Sequence, residues 1–563
     1  MSRFATFRTP VAALPALLSL ILAGCAGQVG TGEQQAAPDY VPDASYHILM
    51  GEMAMQRGEY FVTAQEFAEA ARLSDDPAVA SRAAEYAYNY GFESYAVSTA
   101  ERWLELAPDE QAPHGYLGLL YLKQGDAEKA FVHLDGSMPP ADVRVEGDYL
   151  SLESSLAAEG RPETSYAILK MFDEQYGPNV GLTLALSEIA GRNGDGEAAV
   201  AYAREVLDQE PELLEARIAL YHGQLLTGET DAALASMAAL LEDQPGVELE
   251  LEYARLLVNA ERYDEALAYL DDMEERHGFV PEIVRFHALI SIDQADQVSA
   301  WSDFTKLLSA GFFVNESFFY LGEMARNNQE FLQSLRLYSR VRSGYLLVPA
   351  QVAIAEILNV AGNTEGAVAH LDEFYQQFPY YGFDVWVAKA GLYSDAAMDD
   401  LAYEAYSRAL EYQPDNIAVL LGRASVLDQK GETDAAVKAF RTALRMEPDN
   451  PDAMNALGYT LANRNIKLRE AEKLIASALQ QHPDNAAYLD SMGWLLFRRG
   501  DYEAAGGYLE QAYAAHDDPE IAAHLGELMW AQGREGEANI IWMLALEQSP
   551  NHRVLIDTIE RLQ

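Results

Sequence analysis

The chain has 563 residues, with 88 acidic against 39 basic side chains, a formal charge of −49 and a single cysteine. That surface repels nucleic-acid phosphates and anionic lipid, both of which need Lys and Arg for neutralisation, and one cysteine excludes an intramolecular disulfide. Nine of the basic residues are lysine and thirty are arginine. Two readings of the acidity stand together: solubility in a salty medium, or an ordinary solvated helical exterior.

Residues 1–24 read as a signal peptide, in which Arg3 and Arg8 precede an apolar run from Val11 to Leu22 that is short for a membrane span. The run ends in Leu22-Ala23-Gly24-Cys25, which resembles the lipobox of bacterial lipoproteins. A thiolate is the nucleophile that acquires the diacylglycerol, and the resemblance implies three acyl chains on Cys25, enough for stable anchoring. The other reading is a secretory signal followed by an unrelated cysteine. Ala26 and Gly27 follow in place of an aspartate, which by the same resemblance implies the outer membrane. Residues 25–43 form the lipidated cysteine and a tether rich in Gly, Gln, Ala and Pro, spanning roughly 20–25 Å as a coil and at most about 60 Å when stretched.

A repeat of about 34 residues then runs over residues 44–552. The segment from Ile417 shows its marks in Ala424, Gly431, Ala436, Phe440, Ala443 and Pro448, and the last full unit repeats them in Gly526, Gly533, Ala538, Trp542, Ala545 and Pro550. A period of this length means stacked helical hairpins, so the spacing predicts an all-α solenoid of about fifteen hairpins, and the resemblance of these units to a known repeat family implies a right-handed superhelix. The pattern resembles the tetratricopeptide repeat. A small residue in the first helix lets the second approach closely, as does an early alanine in the second. The bulky residue four positions later, such as Leu134 or Tyr338, is expected to fill the groove toward the next hairpin. Glycine between the helices suits a left-handed helix end, and proline ends the second helix.

Units differ along the array. Residues 281–347 keep the phase without turn glycines and are rich in aromatics, including Phe304, Phe312, Phe313, Phe318, Phe319 and Tyr320. The unit from 451 carries one extra residue between Ile466 and Arg469. Such units mark either a bend or partner site, or simple drift of the repeat. The tail from Asn551 reads as an amphipathic helix covering the last hairpin, with 553–563 as its capping end.

Nothing in the chain reads as catalytic. The eleven histidines are scattered, and Gly194-Asp195-Gly196-Glu197-Ala198-Ala199 imitates a dinucleotide fingerprint without the strand that must precede it. The acidic run around Asp271 and Asp272 lacks the spacing of a Ca²⁺ loop. The expectation is therefore no enzyme, no metal, no cofactor beyond the lipid on Cys25, and no small-molecule substrate. In tetratricopeptide proteins the first helices line the concave face. By that resemblance the candidate partner-binding residues near the C-terminus are Asn455, Tyr459, Asn463, Asp490, Trp494, Phe497, Arg498, Glu527 and Trp530. Tyr and Trp make strong anchors at interfaces; the other reading packs them against neighbouring helices. Glu52, Glu85, Glu188, Glu323, Glu356 and Glu527 recur at one inner position, so an acidic wall facing a basic partner is expected.

Tyr46-His47-Ile48-Leu49-Met50-Gly51-Glu52-Met53-Ala54, Leu489-Asp490-Ser491-Met492-Gly493-Trp494 and Ala523-His524-Leu525-Gly526-Glu527 resemble the lipoprotein adaptors of periplasmic carboxyl-terminal processing proteases. This resemblance implies an outer-membrane, periplasm-facing scaffold whose partners are the protease and its cell-wall hydrolase substrates, touching the membrane through the lipid alone. The alternative is a structural role in an envelope export machine for exopolysaccharide or pilus assembly.

Overall fold

The computed structural model describes residues 42–549 and 552–563, so the signal peptide, Cys25 and nearly all of the tether lie outside the described residues. The described residues form thirty-one α-helices and no strand, numbered α1 to α31 in chain order. The first thirty pair into fifteen antiparallel hairpins, from α1 (Ala44–Gln56) with α2 (Tyr60–Leu73) to α29 (Pro519–Ala531) with α30 (Glu535–Gln548). Each hairpin stacks on the next to build the right-handed solenoid, and buried side chains run along it in successive clusters.

Local chemistry explains each hairpin. In the fourteenth, the Asn485 side chain caps α27 (Ala486–Arg499) by accepting from the Tyr488 amide at 3.2 Å. Gly500 ends that helix at φ +84°, where a side chain would be strained. Asp501 then caps α28 (Tyr502–Ala515) at the Ala504 amide, 3.2 Å away. Where glycine is missing, Ala295 and Gln329 adopt the same left-handed turn at φ 58° and 61°.

The bulky residue of the second helix does not first reach for the next hairpin, as the sequence pattern suggested. It seats in a notch of its own hairpin. A Cβ on Gly118 would stand 2.7 Å from Leu134, one on Gly493 2.6 Å from Leu509, and one on Gly322 2.8 Å from Tyr338. These overlaps lie well inside van der Waals contact, so the glycine sets how closely the two helices approach.

Much of the aromatic middle is core, although Phe312 stays 47 % exposed. Phe304 is fully buried and stacks on Tyr320, while Phe318 and Phe319 pack around Tyr338 and Val341. The second helix of the ninth hairpin, α18 (Phe331–Tyr338), has only eight residues. The extra residue of the thirteenth unit is absorbed in its turn, where Asn465 and Lys467 both take left-handed φ values of 55° and 48°.

The superhelix comes round on itself. Phe92, in the turn of the second hairpin, stacks on Tyr412 at the end of α22 (Asp399–Tyr412) in the eleventh, with ring centroids 4.4 Å apart. Tyr60 of the first hairpin meets Tyr375 of α20 (Thr364–Gln377), in the tenth, edge-on at 5.8 Å. Tyr375 and Tyr412 share a hydrogen bond of 2.8 Å, and Tyr412 is 2 % exposed. Two aromatic pairs contribute on the order of 1–3 kcal/mol beyond burial, and Phe383 and Trp386 pack into the same cluster as Phe92 and Tyr412. Tyr412→Ala is expected to leave the helical circular dichroism unchanged and to raise the radius of gyration in small-angle scattering. An unchanged scattering profile would show that the seam does not hold the turns together.

Candidate partner-binding cleft

The first helices of the last three hairpins, α25 (Pro451–Asn463), α27 and α29, present their inner faces side by side. Tyr459, Asn463, Trp494, Phe497, Arg498 and Glu527 line one cleft of about 430 Å³. Six of the nine residues chosen from the sequence therefore meet there. The remaining three sit elsewhere. Asp490 is buried behind the cleft, Trp530 stacks on Trp542 at 5.7 Å, and Asn455 keeps a buried Oδ1 without a hydrogen-bond partner. Trp530 thus follows the packing reading of the inner aromatics.

The cleft stands on a buried polar chain. Tyr459 Oη donates to Glu520 Oε1 at 2.5 Å and lies 3.5 Å from His524 Nε2. On its other side, His524 Nδ1 lies 2.9 Å from Asp490 Oδ2. Trp494 stacks on the His524 ring at 4.1 Å and donates its indole N–H to Asn463 Oδ1 at 3.2 Å. Burial works against a charged imidazole, but the carboxylates of Asp490, Glu520 and Glu527 outweigh it and raise the His524 pKa. Burial first, and Glu520 next, push the Tyr459 phenol well up, so it stays a donor. Trp494 is 4 % exposed and forms the floor of the cleft, whereas Phe497 and Arg498 are partly exposed at its rim.

The electrostatics depart from an unbroken acidic wall. Glu52 pairs with Arg82, Glu323 and Glu356 share Arg326, and Glu527 accepts from Arg561 Nη2 at 2.5 Å. Glu188 lies beside Glu153; burial, then that neighbour, push its carboxyl pKa up. Among the described residues, Glu85 and Glu188 are the two of the six that form no ion pair. Meanwhile the Arg498 guanidinium sits 5.6 Å from the Trp494 ring centroid and forms no ion pair among the described residues.

Four lining residues escaped the sequence reading: His524, Val554, Thr558 and Arg561. His524 falls one residue beyond the inward-facing position of its unit. The other three belong to α31 (Arg553–Leu562), which lies chiefly along α29 and so enters the inner face. It covers the last hairpin on its α29 side and leaves Ile540, Met543 and Leu544 of α30 exposed at 59 %, 70 % and 50 %.

The sequence model of the tetratricopeptide repeat matches residues 421–486, 465–518 and 491–552. Over 506 residues the chain is 29 % identical to a TPR repeat-containing protein of Pseudomonas aeruginosa, covering 88 % of this chain and 84 % of that one. Among solved structures, a thermophilic TPR protein of Thermus thermophilus is 24 % identical over 32 % of this chain and 96 % of its own, with a TM-score of 0.29. Yeast Tom70 is 15 % identical over 92 % of this chain and 94 % of its own, with a TM-score of 0.31. The matched repeat is a protein-interaction module, and the array is a protein–protein interaction scaffold.

A raised His524 pKa has a definite sign. The folded state holds the proton more tightly, so this stabilisation is full below the ordinary value of about 6.5 and fades as pH rises through the folded-state value. His524→Gln, which can still donate to Asp490, is expected to lower stability by on the order of 2 kcal/mol at pH 5.5. The gap in thermal midpoint between wild type and variant should narrow toward pH 8.5. A gap that widens with pH would contradict a protonated His524.

Proposed function

We propose that the array is an adaptor anchored to the outer membrane through Cys25, which holds a periplasmic carboxyl-terminal processing protease together with its peptidoglycan-hydrolase substrates. The observation that carries this reading is the convergence of Tyr459, Asn463, Trp494, Phe497, Arg498 and Glu527 on one inner cleft. That cleft occupies three hairpins of fifteen, which leaves most of the inner surface for a second partner. Each partner held on one scaffold meets the other at an effective concentration set by the geometry, reaching the millimolar range for short flexible connections. Delivery, and not chemistry, is then what the scaffold adds to proteolysis.

The rim residues make the sharpest test, because they are partly exposed while Trp494 and Tyr459 support the fold. Affinity capture from a periplasmic extract with residues 26–563 as bait should recover the protease and a hydrolase. Phe497→Ala with Arg498→Glu should weaken capture of one of the two at least tenfold, a loss of about 1.4 kcal/mol or more. Recovery of secretion-channel or pilus components in place of protease and hydrolase would overturn the adaptor reading.

The anchor is tested separately. Cys25→Ser should move the protein from the outer-membrane fraction to the soluble periplasmic fraction. Retention of the variant in the outer membrane would defeat the lipidation reading and leave the adaptor reading intact.

A further inference from the structure

We infer that α31 is a built-in occupant of the inner groove, and that the partner segment received there is an amphipathic helix bearing two basic side chains about two turns apart. The inference rests on the array acting as an interaction scaffold, but on no particular partner.

Three observations carry it. First, α31 contributes Val554, Thr558 and Arg561 to the same cleft that the inner helices form, so it lies where a bound helix would lie. Second, its two arginines, eight positions apart, are both met by acidic side chains of the array, Glu527 in the cleft lining and Asp399 at the start of α22, beyond it. Arg561 donates to Glu527 of α29, and Arg553 Nη1 donates to Asp399 Oδ2 at 3.2 Å, on a hairpin four positions back along the array. The carboxylates are recessed, with side-chain exposures of 10 % and 18 %, whereas the guanidinium groups are half exposed at 55 % and 50 %. The sockets therefore belong to the array and the cations to α31.

Third, α31 fits the groove incompletely. Leu555 is its only apolar side chain buried completely. The second oxygen of Asp399, Oδ1, is buried and has no hydrogen-bond partner. A longer partner helix that satisfies this oxygen and buries more apolar surface would outcompete α31. Its cation pattern is set by the spacing of Asp399 and Glu527, and its helical form by the space α31 already occupies. A continuous covalent link keeps α31 at high local concentration, so weak partners are excluded.

A labelled peptide of residues 552–563, read by fluorescence anisotropy against the full mature chain, tests this. Arg553→Gln with Arg561→Gln loosens the resident helix, and this double variant should bind the peptide at least tenfold more tightly than wild type. A peptide with both arginines reversed to glutamate should bind neither protein, and Asp399→Asn with Glu527→Gln should lose the gain. Equal binding by wild type and a folded double variant would overturn the inference, as would undiminished binding of the reversed peptide. Should the double variant fail to fold, hydrogen exchange on the unaltered protein decides. Saturating peptide should speed exchange in α31 and leave α29 protected; no change in α31 would overturn the inference. None of these readouts involves a protease, so the adaptor reading stands or falls apart from them.

Discussion

The structure depends on one steric constraint that recurs along most of the array: a bulky side chain of the second helix fits into a notch left by a glycine or alanine in the first. Ile475 against Gly458 and Leu509 against Gly493 are two instances, each with no room for a Cβ. The notch fixes the distance and crossing of the two helices, and thereby the surface each hairpin offers to the next. Because every hairpin touches mainly its neighbours, a small rotation set at one notch is inherited by all that follow. The inner cleft and the closing seam are both products of that accumulated rotation. Neither is encoded at a single residue.

This accounts for what was legible in the sequence. The period and the hairpin count follow from local patterns such as Ala424–Gly431–Ala436, because those patterns act within one hairpin, whereas the inward position of the first helices came only from the resemblance. Curvature does not follow from them, since it is a sum of many small angles. Phe92 and Tyr412 therefore read as ordinary aromatics, although they meet across more than three hundred residues. The same limit hid the place of α31. Its amphipathic pattern announces a buried face, but only the path of the array decides that α29 and Asp399 supply the opposing surface. His524 was missed for a local reason: its unit turns the imidazole inward one residue off the repeat's inward-facing register, to meet Asp490.

Arginine does much of the work of joining hairpins. Arg285 grips Glu316 of the following hairpin through two bonds of 2.8 Å, and Arg326 bonds Glu356 of the following hairpin at 2.9 Å. A planar fork can hold a carboxylate through two parallel bonds, which an ammonium cannot, so these sites favour arginine over lysine. The excess of arginine among the basic residues has a structural cause here, beside whatever the solvent demands.

The same pairing redistributes the charge. With inner glutamates such as Glu52, Glu356 and Glu527 held by arginines of the chain itself, these positions add little net charge to the inner surface. The long-range field then governs which molecules approach, while the inner groove selects by shape and by a few recessed charges. Screening separates the two roles: at physiological ionic strength the field of exposed groups fades over about 8 Å, but partly buried pairs such as Arg561 with Glu527 are screened far less. A strongly acidic protein can thus keep a groove whose specificity survives in salt. Its recognition then rests on recessed carboxylates at fixed spacing, and that spacing is inherited from the notches that set the superhelix.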